Sequence, residues 1–233
     1  YKINGDISLN NSKKFVIFAH GHGSNREGSI KFTKIFYDLG YSLVLYDHRG
    51  HGDNERRPLS MGSHESKDLI EIVDILREKY GNDIKIGLFG YSMGGATVCL
   101  ASQFLQNKVS FIVSDCAYSS LKEECRNQCI VHTIPFIPTI VFMKLFFKIK
   151  YQISFEECNV KKVIEANKIP ICFFHGDADR TVFLENSKKL FEASSSQIKK
   201  LHIFEGAGHS RCVEINPKLY KQNIEDFLKE IGE

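Results

Sequence analysis

Residues 87–95 read GLFGYSMGG and set a single serine, Ser92, among closely spaced glycines. Residues 90–94 fit the pattern G-x-S-x-G, in which a strained turn between a strand and a helix exposes the serine hydroxyl as a nucleophile. The same glycines could merely mark a strand-to-helix turn, because glycine tolerates left-handed backbone angles. Three fixed positions of common residue types recur by chance, so the rest of the chain must decide.

A serine hydroxyl becomes a useful nucleophile when a histidine takes its proton and a carboxylate orients that histidine. Around such an elbow the partners follow in the order Ser, acid, His, each just past a strand. Asp179 in HGDADRTV and His209 in EGAGHS meet both conditions. Asp177 competes for the acid role because it lies nearer the strand end, but spacing favours Asp179. We predict a triad of Ser92, Asp179 and His209.

The negative charge that develops during acyl transfer needs backbone N–H donors. One comes from the residue after the nucleophile, here Met93, and the second from a loop after an early strand. The stretch AHGHGSN follows the first apolar run, and its glycines would let a backbone N–H approach a substrate. We predict an oxyanion hole formed by the backbones of His22 and Met93.

A metal site is the alternative for the histidine-rich loops. Four histidines occur in HGHG and DHRGHG, namely His20, His22, His48 and His51. Glycine-shaped loops account for them, and no carboxylate or cysteine set completes a ligand shell. Cys125 and Cys129 lie one helical turn apart, but no second pair follows at zinc-site spacing. We predict neither a metal nor another cofactor.

Apolar runs that read as buried strands alternate with segments of helical periodicity. The strands are predicted at 13–20, 42–47, 84–90, 109–115, 169–176 and 199–206, and the helices at 29–39, 64–80, 93–106, 183–194 and 217–231. Such alternation predicts an α/β fold with a mostly parallel central sheet and helices on both faces. Sites of this architecture form beyond the carboxyl ends of the strands, where every motif above falls.

The stretch 118–168 interrupts this alternation, because it is too long for an ordinary crossover and contains Pro135 and Pro138. We predict one domain, residues 1–233, with a helical lid over about 118–168. The apolar residues of the lid are Ile134, Phe136, Ile137, Ile140, Val141, Phe142, Leu145, Phe146 and Phe147. They could line an acyl-binding channel or seat the lid on the core, since a greasy helix face is usually packing.

Composition narrows the classes of function. A 42% hydrophobic and 25% charged chain of net charge +3 is ordinary for a globular protein, and no basic stripe marks a nucleic-acid surface. The seven cysteines, an odd number partly inside apolar runs, favour a reducing compartment. The longest greasy stretch, IPFIPTIVFMKLFF, is too short and too interrupted to span a bilayer. We expect no membrane-spanning segment in this chain and a cytoplasmic location, with an anchor upstream of Tyr1 left open.

Together these motifs resemble the α/β-hydrolase superfamily over nearly the whole chain: HGHG, YDHRGHGDN, GYSMGG, HGDADRTV and GAGHS. The chain looks most like the single-domain branch related to prolyl oligopeptidase, with Bem46-like proteins and monoacylglycerol lipases. The resemblance implies hydrolysis of an ester, thioester or amide through an acyl-enzyme on Ser92, and a structural role for Asp47, Arg49 and Gly50. One departure is that only YKINGDISLN is available for the antiparallel hairpin that begins the familiar fold.

The motifs specify a mechanism more sharply than a substrate. We predict a cofactor-independent serine esterase, lipase-like, acting on a small or medium acyl ester. A thioesterase or a serine peptidase related to prolyl oligopeptidase is the alternative. A non-catalytic binding module is the third hypothesis, which the complete set of triad residues disfavours.

Overall fold

The computed structural model describes residues 1–233 and contains one seven-stranded sheet. Its strands are β1 (Gly5–Ser8), β2 (Lys14–Ala19), β3 (Ser42–Tyr46), β4 (Lys85–Tyr91), β5 (Phe111–Asp115), β6 (Ile171–Gly176) and β7 (Lys199–Phe204). They lie in the order β1-β3-β2-β4-β5-β6-β7, and only β1 runs antiparallel to its neighbour. The six parallel strands are the six predicted ones, which confirms the mostly parallel sheet.

Helices cover both faces of this sheet, as predicted. They are α1 (Ile30–Asp38), α2 (Ser63–Tyr80), α3 (Met93–Leu105), α4 (Leu121–Val131), α5 (Phe136–Lys150), α6 (Val160–Ile164), α7 (Glu185–Ala193), α8 (Cys212–Ile215) and α9 (Pro217–Glu230), with 3₁₀ turns at Arg26–Ser29 and Phe155–Cys158. One apolar cluster joins the sheet to α2, α3, α6 and α7, and a second joins it to α1, α8 and α9. Alternate side chains of each buried strand therefore enter opposite cores.

Within residues 1–233, one antiparallel strand lies at the β3 edge of the sheet. Residues Gly5–Ser8 pair antiparallel with β3, from Gly5 opposite Tyr46 to Ser8 opposite Leu43. The whole of β1 is exposed, and residues 1–4 form no strand. The short stretch YKINGDISLN thus provides one edge strand where the resemblance implies a hairpin.

The segment between β5 and β6 holds α4, α5, a 3₁₀ turn and α6, and we call α4 and α5 with their connecting turn (121–150) the helical insertion. Its own apolar cluster has only six buried members: Leu121, Ile140, Phe147, Ile153, Phe155 and Cys158. Of the nine apolar residues singled out in the sequence, only Ile140 and Phe147 are buried. Two seat α5 on the cluster, two more are half-buried, and the other five face solvent.

The sheet order creates one reversal beside β2. The chain passes from β2 outward to β3 and then returns to place β4 on the other side of β2. In parallel sheets a crevice opens beyond the carboxyl ends of strands at such a point. The loops after β2 and β4 meet there, and those after β5, β6 and β7 lie along the same edge.

Two further structural facts bear on the predictions. No helix is both long enough and apolar enough to cross a membrane. All seven cysteines are free thiols, and six of them are buried.

Candidate active site

The turn from β4 into α3 holds Ser92 in a backbone conformation that few residues adopt. Its φ is 55° and its ψ −122°, a strained region for any residue with a Cβ. A Cβ added at Gly90 would lie 2.2 Å from the carbonyl oxygen of Gly94, and one at Gly94 would lie 1.9 Å from that of Ala19. The glycines are therefore required for strand and helix to pass this closely, and the strained turn projects the Ser92 side chain toward the crevice.

Ser92, His209 and Asp179 form one hydrogen-bonded chain. His209 Nε2 lies 2.8 Å from Ser92 Oγ, and His209 Nδ1 lies 2.7 Å from Asp179 Oδ2. The carboxylate is buried, while serine and histidine are partly exposed. Three residues that follow β4, β6 and β7 are thus brought together. The Asp179 carboxylate lies inside the protein, and Ser92 lies at the surface of the crevice.

The loop after β6 fixes the Asp179 carboxylate from several directions. Its Oδ1 accepts the backbone N–H groups of Thr181 (2.8 Å) and Val182 (3.0 Å). Burial alone raises the pKa of Asp179, but the hydrogen bonds from His175 and His209 outweigh burial and hold this pKa below its ordinary range. The carboxylate is therefore ionised when it faces the His209 ring.

Asp177, the competing acid, has a different role. It is exposed, and its Oδ1 accepts the backbone N–H of Gly206 at 2.7 Å, which ties the β6 loop to the β7 loop. Its side chain forms no hydrogen bond with His209, whose Nδ1 meets Asp179. The geometry therefore distinguishes two carboxylates that lie only two residues apart in sequence.

The loop after β2 lies beside the nucleophile. A Cβ built on Gly21 would be 3.2 Å from Cβ of Ser92, so the backbone of this loop borders the serine. The backbone N–H of His22 donates to no protein acceptor. Met93 is the first residue of α3, so its N–H has no intrahelical acceptor. The two predicted oxyanion donors thus carry N–H groups without a protein acceptor, His22 in the loop that borders Ser92 and Met93 directly after it.

Two histidines hold this loop in place. His20 Nδ1 lies 2.8 Å from the Gly21 carbonyl, and its Nε2 accepts the backbone N–H of His48 at 2.9 Å. His51 Nε2 accepts the backbone N–H of Gly23 at 3.2 Å. These rings therefore link the loop after β2 to the loop after β3 through backbone contacts, with their acceptor nitrogens already occupied.

A second polar cluster surrounds the triad acid. The ligand atoms of Cys116, Asp179 and His209 lie within 4.8 Å of one another. Asp179 and His209 are already bonded to each other, and burial raises the pKa of the Cys116 thiol, which disfavours the thiolate that a metal would need. The chemistry of this group fits a carboxylate that orients a histidine better than it fits metal coordination.

Sequence reasoning missed His175, which supports the acid. This residue is fully buried at the end of β6, with Nδ1 2.6 Å from Ser187 Oγ and Nε2 2.8 Å from the Val182 carbonyl. The same Nε2 lies 3.4 Å from Asp179 Oδ2. Because a carbonyl only accepts, Nε2 carries the proton. The signal was present in ICFFHG, where one histidine stands inside an otherwise apolar strand.

A carboxyl from the helical insertion, Glu124, also reaches the site. Burial raises its pKa to about 7, although the hydrogen bond from Gln128 opposes the shift, and its charge interacts with His209 and Asp179. The Gln128 amide also donates to the Thr181 carbonyl at 3.1 Å, so α4 is tied to the loop that holds Asp179. Nothing in the local sequence LKEEC marks Glu124 apart from Glu123.

Comparison with known families divides the site between two matches. A model described as the alpha/beta hydrolase fold matches residues 14–128, which include Ser92. A model described as serine aminopeptidase, S33, matches residues 158–216, which include Asp179 and His209. The two matches leave out residues 1–13, 129–157 and 217–233, and the second of these stretches includes α5.

Individual relatives agree with these matches. The uncharacterized protein YqkD of Bacillus subtilis is 26% identical over the whole chain and 77% of its own length. The lysophosphatidylserine lipase ABHD12 of Macaca fascicularis is 22% identical over 81% of this chain, which spans about half (47%) of that protein.

A solved structure shares the fold over almost the entire chain. An esterase of Pyrococcus furiosus superposes with a TM-score of 0.78 at 24% identity, covering 99% of this chain and 88% of the esterase. Its fold, the two family models, and the elbow and loop geometry described above all agree. The chain belongs to the α/β-hydrolase superfamily.

Proposed function

We propose that this protein is a cofactor-independent serine hydrolase that cleaves a carboxylic ester through an acyl-enzyme on Ser92. His209 acts first as general base and then as general acid, and Asp179 orients it. The observation that carries the proposal is the unbroken chain from Ser92 Oγ to His209 (2.8 Å) and on to Asp179 (2.7 Å), at a serine with positive φ.

The proton follows this chain. As Ser92 Oγ attacks the ester carbonyl carbon, His209 Nε2 takes the hydroxyl proton, while Nδ1–H stays bonded to Asp179. The carbonyl oxygen becomes an oxyanion, which the free N–H groups of His22 and Met93 stabilise. His209 then gives its proton to the departing alcohol, and the bond to that alcohol breaks. Water, deprotonated by the same nitrogen, then attacks the acyl carbon. The bond to Ser92 Oγ breaks, His209 returns the proton to Oγ, and the carboxylic acid is released.

The ionised, buried Asp179 supports this cycle electrostatically. A positive imidazolium forms at His209 in each half-reaction, and a carboxylate held with a depressed pKa stabilises that charge without taking the proton. All steps use groups that the chain itself supplies, so the cycle requires no metal or other cofactor.

The favoured substrates are esters of small or medium acyl groups. Support comes from the esterase and lipase names among the similar proteins. The helical insertion, within the predicted lid at 118–168, would set acyl length from the side where Glu124 and Gln128 meet the acid loop. The exposed α5 side chains contribute little to such a channel, because they point into solvent.

A serine peptidase is the second candidate, because the family model that covers Asp179 and His209 is described as a serine aminopeptidase. The same triad would act on an amide, whose amine leaves less readily than an alcohol and therefore depends more on protonation by His209. The thiolate of a thioester leaves more readily and depends less on that proton. Rates on matched ester, thioester and anilide substrates with one acyl group rank the three activities.

The decisive experiment compares wild type with Ser92→Ala on p-nitrophenyl esters from acetyl to palmitoyl, with fluorophosphonate labelling in parallel. We expect turnover with a maximum at one acyl length, and labelling of wild type only. Labelling without ester turnover would move the proposal to thioesters or amides. Neither labelling nor turnover in a folded protein would favour a non-catalytic binding module and overturn the proposal.

A further inference from the structure

The outward face of α5 is apolar and uncovered. Its largest exposures are at Ile137 (76%), Ile149 (70%) and Phe142 (64%). The full set of exposed large apolar side chains in the insertion is Ile130, Val131, Ile134, Ile137, Val141, Phe142, Leu145 and Ile149. Residues 137, 141, 145 and 149 are four apart, so they form one continuous stripe along the helix. Scattered exposed leucines are normal, but a contiguous apolar surface marks an interaction site.

The face of α5 opposite the stripe attaches the helix to the rest of the protein. Ile140 and Phe147 lie roughly across the helix from the stripe and are buried in the insertion's small apolar cluster. Phe147 also meets Phe155 edge to face, with ring centroids 5.4 Å apart. The stripe is thus not needed to attach α5, and its exposure leaves it free to contact something outside the chain.

The charges around the stripe have a single sign. Helix α5 contains no acidic residue, and its Lys144, Lys148 and Lys150 are exposed. None of the three forms an ion pair, and neither do Lys122 and Arg126 of α4. The Lys150 ammonium instead lies 5.1 Å above the Phe146 ring.

The two acids of the same segment are already engaged. Glu123 pairs with Lys189 at 2.6 Å, and Glu124 is largely buried, with burial raising the pKa of its carboxyl. With five Lys and Arg against two Glu, residues 121–150 carry a net charge of +3, equal to that of the entire chain. The uncovered face is therefore both apolar and cationic.

We propose that the exposed face of α5 docks this protein on an anionic lipid surface. Helix α5 is apolar on its buried face and on its outward face, and exposed apolar side chains with lysines beside them suit the interface of a membrane that carries negative charge. Acidic headgroups would take the unpaired lysines, and acyl chains would take the stripe. At 15 residues α5 is about 22 Å long and carries three lysines, so it would lie on a bilayer and not cross it.

A second copy of the chain is the competing occupant, and the charges disfavour it. Pairing two α5 stripes about a two-fold axis would bring lysines together with no carboxylate on the helix to neutralise them. Anionic lipid supplies the missing negative charge. The proposal does not depend on the proposed hydrolase activity, because it concerns a surface and not the triad.

The test measures co-sedimentation with vesicles of phosphatidylcholine alone or mixed with phosphatidylserine, using full-length Ser92→Ala so that hydrolysis plays no part. The apolar variant carries Ile137→Gln, Val141→Gln and Leu145→Gln. Its matched control carries Ile30→Gln, Ile75→Gln and Phe104→Gln, three equally exposed apolar side chains on other helices. We expect the α5 variant to bind mixed vesicles at least about tenfold more weakly, and the control to bind as the parent does.

Two charge-reversal variants distinguish attraction to anionic lipid from non-specific adsorption. Lys144→Glu with Lys148→Glu should abolish the preference for phosphatidylserine, whereas Lys218→Glu with Lys229→Glu, which are exposed and unpaired on α9, should keep it. No binding to mixed vesicles by the parent, or equal loss in both apolar variants, would overturn the proposal. A parent dimer that the α5 variant alone dissociates, without vesicle binding, would assign the face to a second copy.

Discussion

The loops that carry the proposed triad and the helix α5 of the insertion are held in place by different kinds of contact. The Asp179 carboxylate and the His175 ring are buried, and their polar atoms meet partners between 2.6 and 3.4 Å away. Along α5, two side chains are buried, and most of the apolar surface faces solvent. The first region is held by directed hydrogen bonds, and the second by a small apolar cluster.

The difference shows what each region is able to do. Chemistry at Ser92 needs groups held to within fractions of an ångström, which a closed network of buried polar contacts provides. A docking face needs exposed apolar area and a single sign of charge, which such a network would remove. The contact from Gln128 to the Thr181 carbonyl joins the two regions.

The largest expected effect is the loss of the nucleophile. Ser92→Ala should lower ester turnover by about 10⁴-fold or more, because the acyl-enzyme can no longer form. The measurement is kcat/KM on the best p-nitrophenyl ester. Ser102→Ala in the same helix is the matched control, since the Ser102 hydroxyl is buried without a partner. Wild-type turnover in Ser92→Ala would show that Ser92 is not the nucleophile.

The second largest effect is expected at Asp179, and the comparison with Asp177 tests which carboxylate acts as the catalytic acid residue. Asp179→Asn should reduce kcat by about 10³- to 10⁴-fold, because the amide no longer stabilises the His209 imidazolium or its working tautomer. Asp177→Asn should change kcat by less than about threefold, since Asp177 meets only the Gly206 N–H. Equal losses in the two variants would contradict the assignment.

A smaller effect is expected at His175, a positioning residue behind the acid. His175→Phe should lower kcat about 10- to 100-fold with little change in KM, because Asp179 loses a donor and shifts. His175→Gln should recover much of that loss, since the glutamine amide can again donate a hydrogen bond toward Asp179. A purely structural role would instead lower the melting temperature equally in both variants and leave kcat of the folded fraction unchanged.

The smallest effect is expected at Glu124, where the helical insertion meets the site, and is seen in the pH dependence of stability. Burial raises the pKa of Glu124 from 4.5 to about 7, so between these values the folded protein binds more protons than the unfolded chain. Stability from this group is therefore full below about pH 4.5 and is lost as pH rises to 7. Glu124→Gln should remove this loss and raise the free energy of unfolding by about 3 kcal/mol at pH 8.

The neighbouring Glu123→Gln is the control for that prediction, with the opposite sign. The hydrogen bond from Lys189 lowers the pKa of Glu123, so its loss should cost stability, by less than about 1 kcal/mol for a half-exposed pair. Chemical denaturation at pH 5 and pH 8 measures both. A Glu124→Gln variant with the pH dependence of wild type would show that the carboxyl is solvated.

Much of the fold was predictable because burial and periodicity are local properties. Strands such as 171–176 and helices such as 217–230 were expected within two residues of their observed ends. The elbow at Ser92 and the loop residues Asp179 and His209 could be proposed from spacing, since strand ends in a parallel sheet share one edge. The antiparallel β1 was the least defined, because four exposed residues carry no burial pattern.

The sequence by itself determined the alternation of elements, the glycines that Ser92 requires, and the order of the three candidate residues, because each depends on neighbours in the chain. Only the tertiary structure joined Asp179 rather than Asp177 to His209, placed His175 and Glu124 near Asp179, and turned the α5 stripe outward. Those outcomes depend on which elements pack together. A residue's burial and its partners are set by chain segments far away in sequence, as for His209 and Ser92, which are separated by 117 positions.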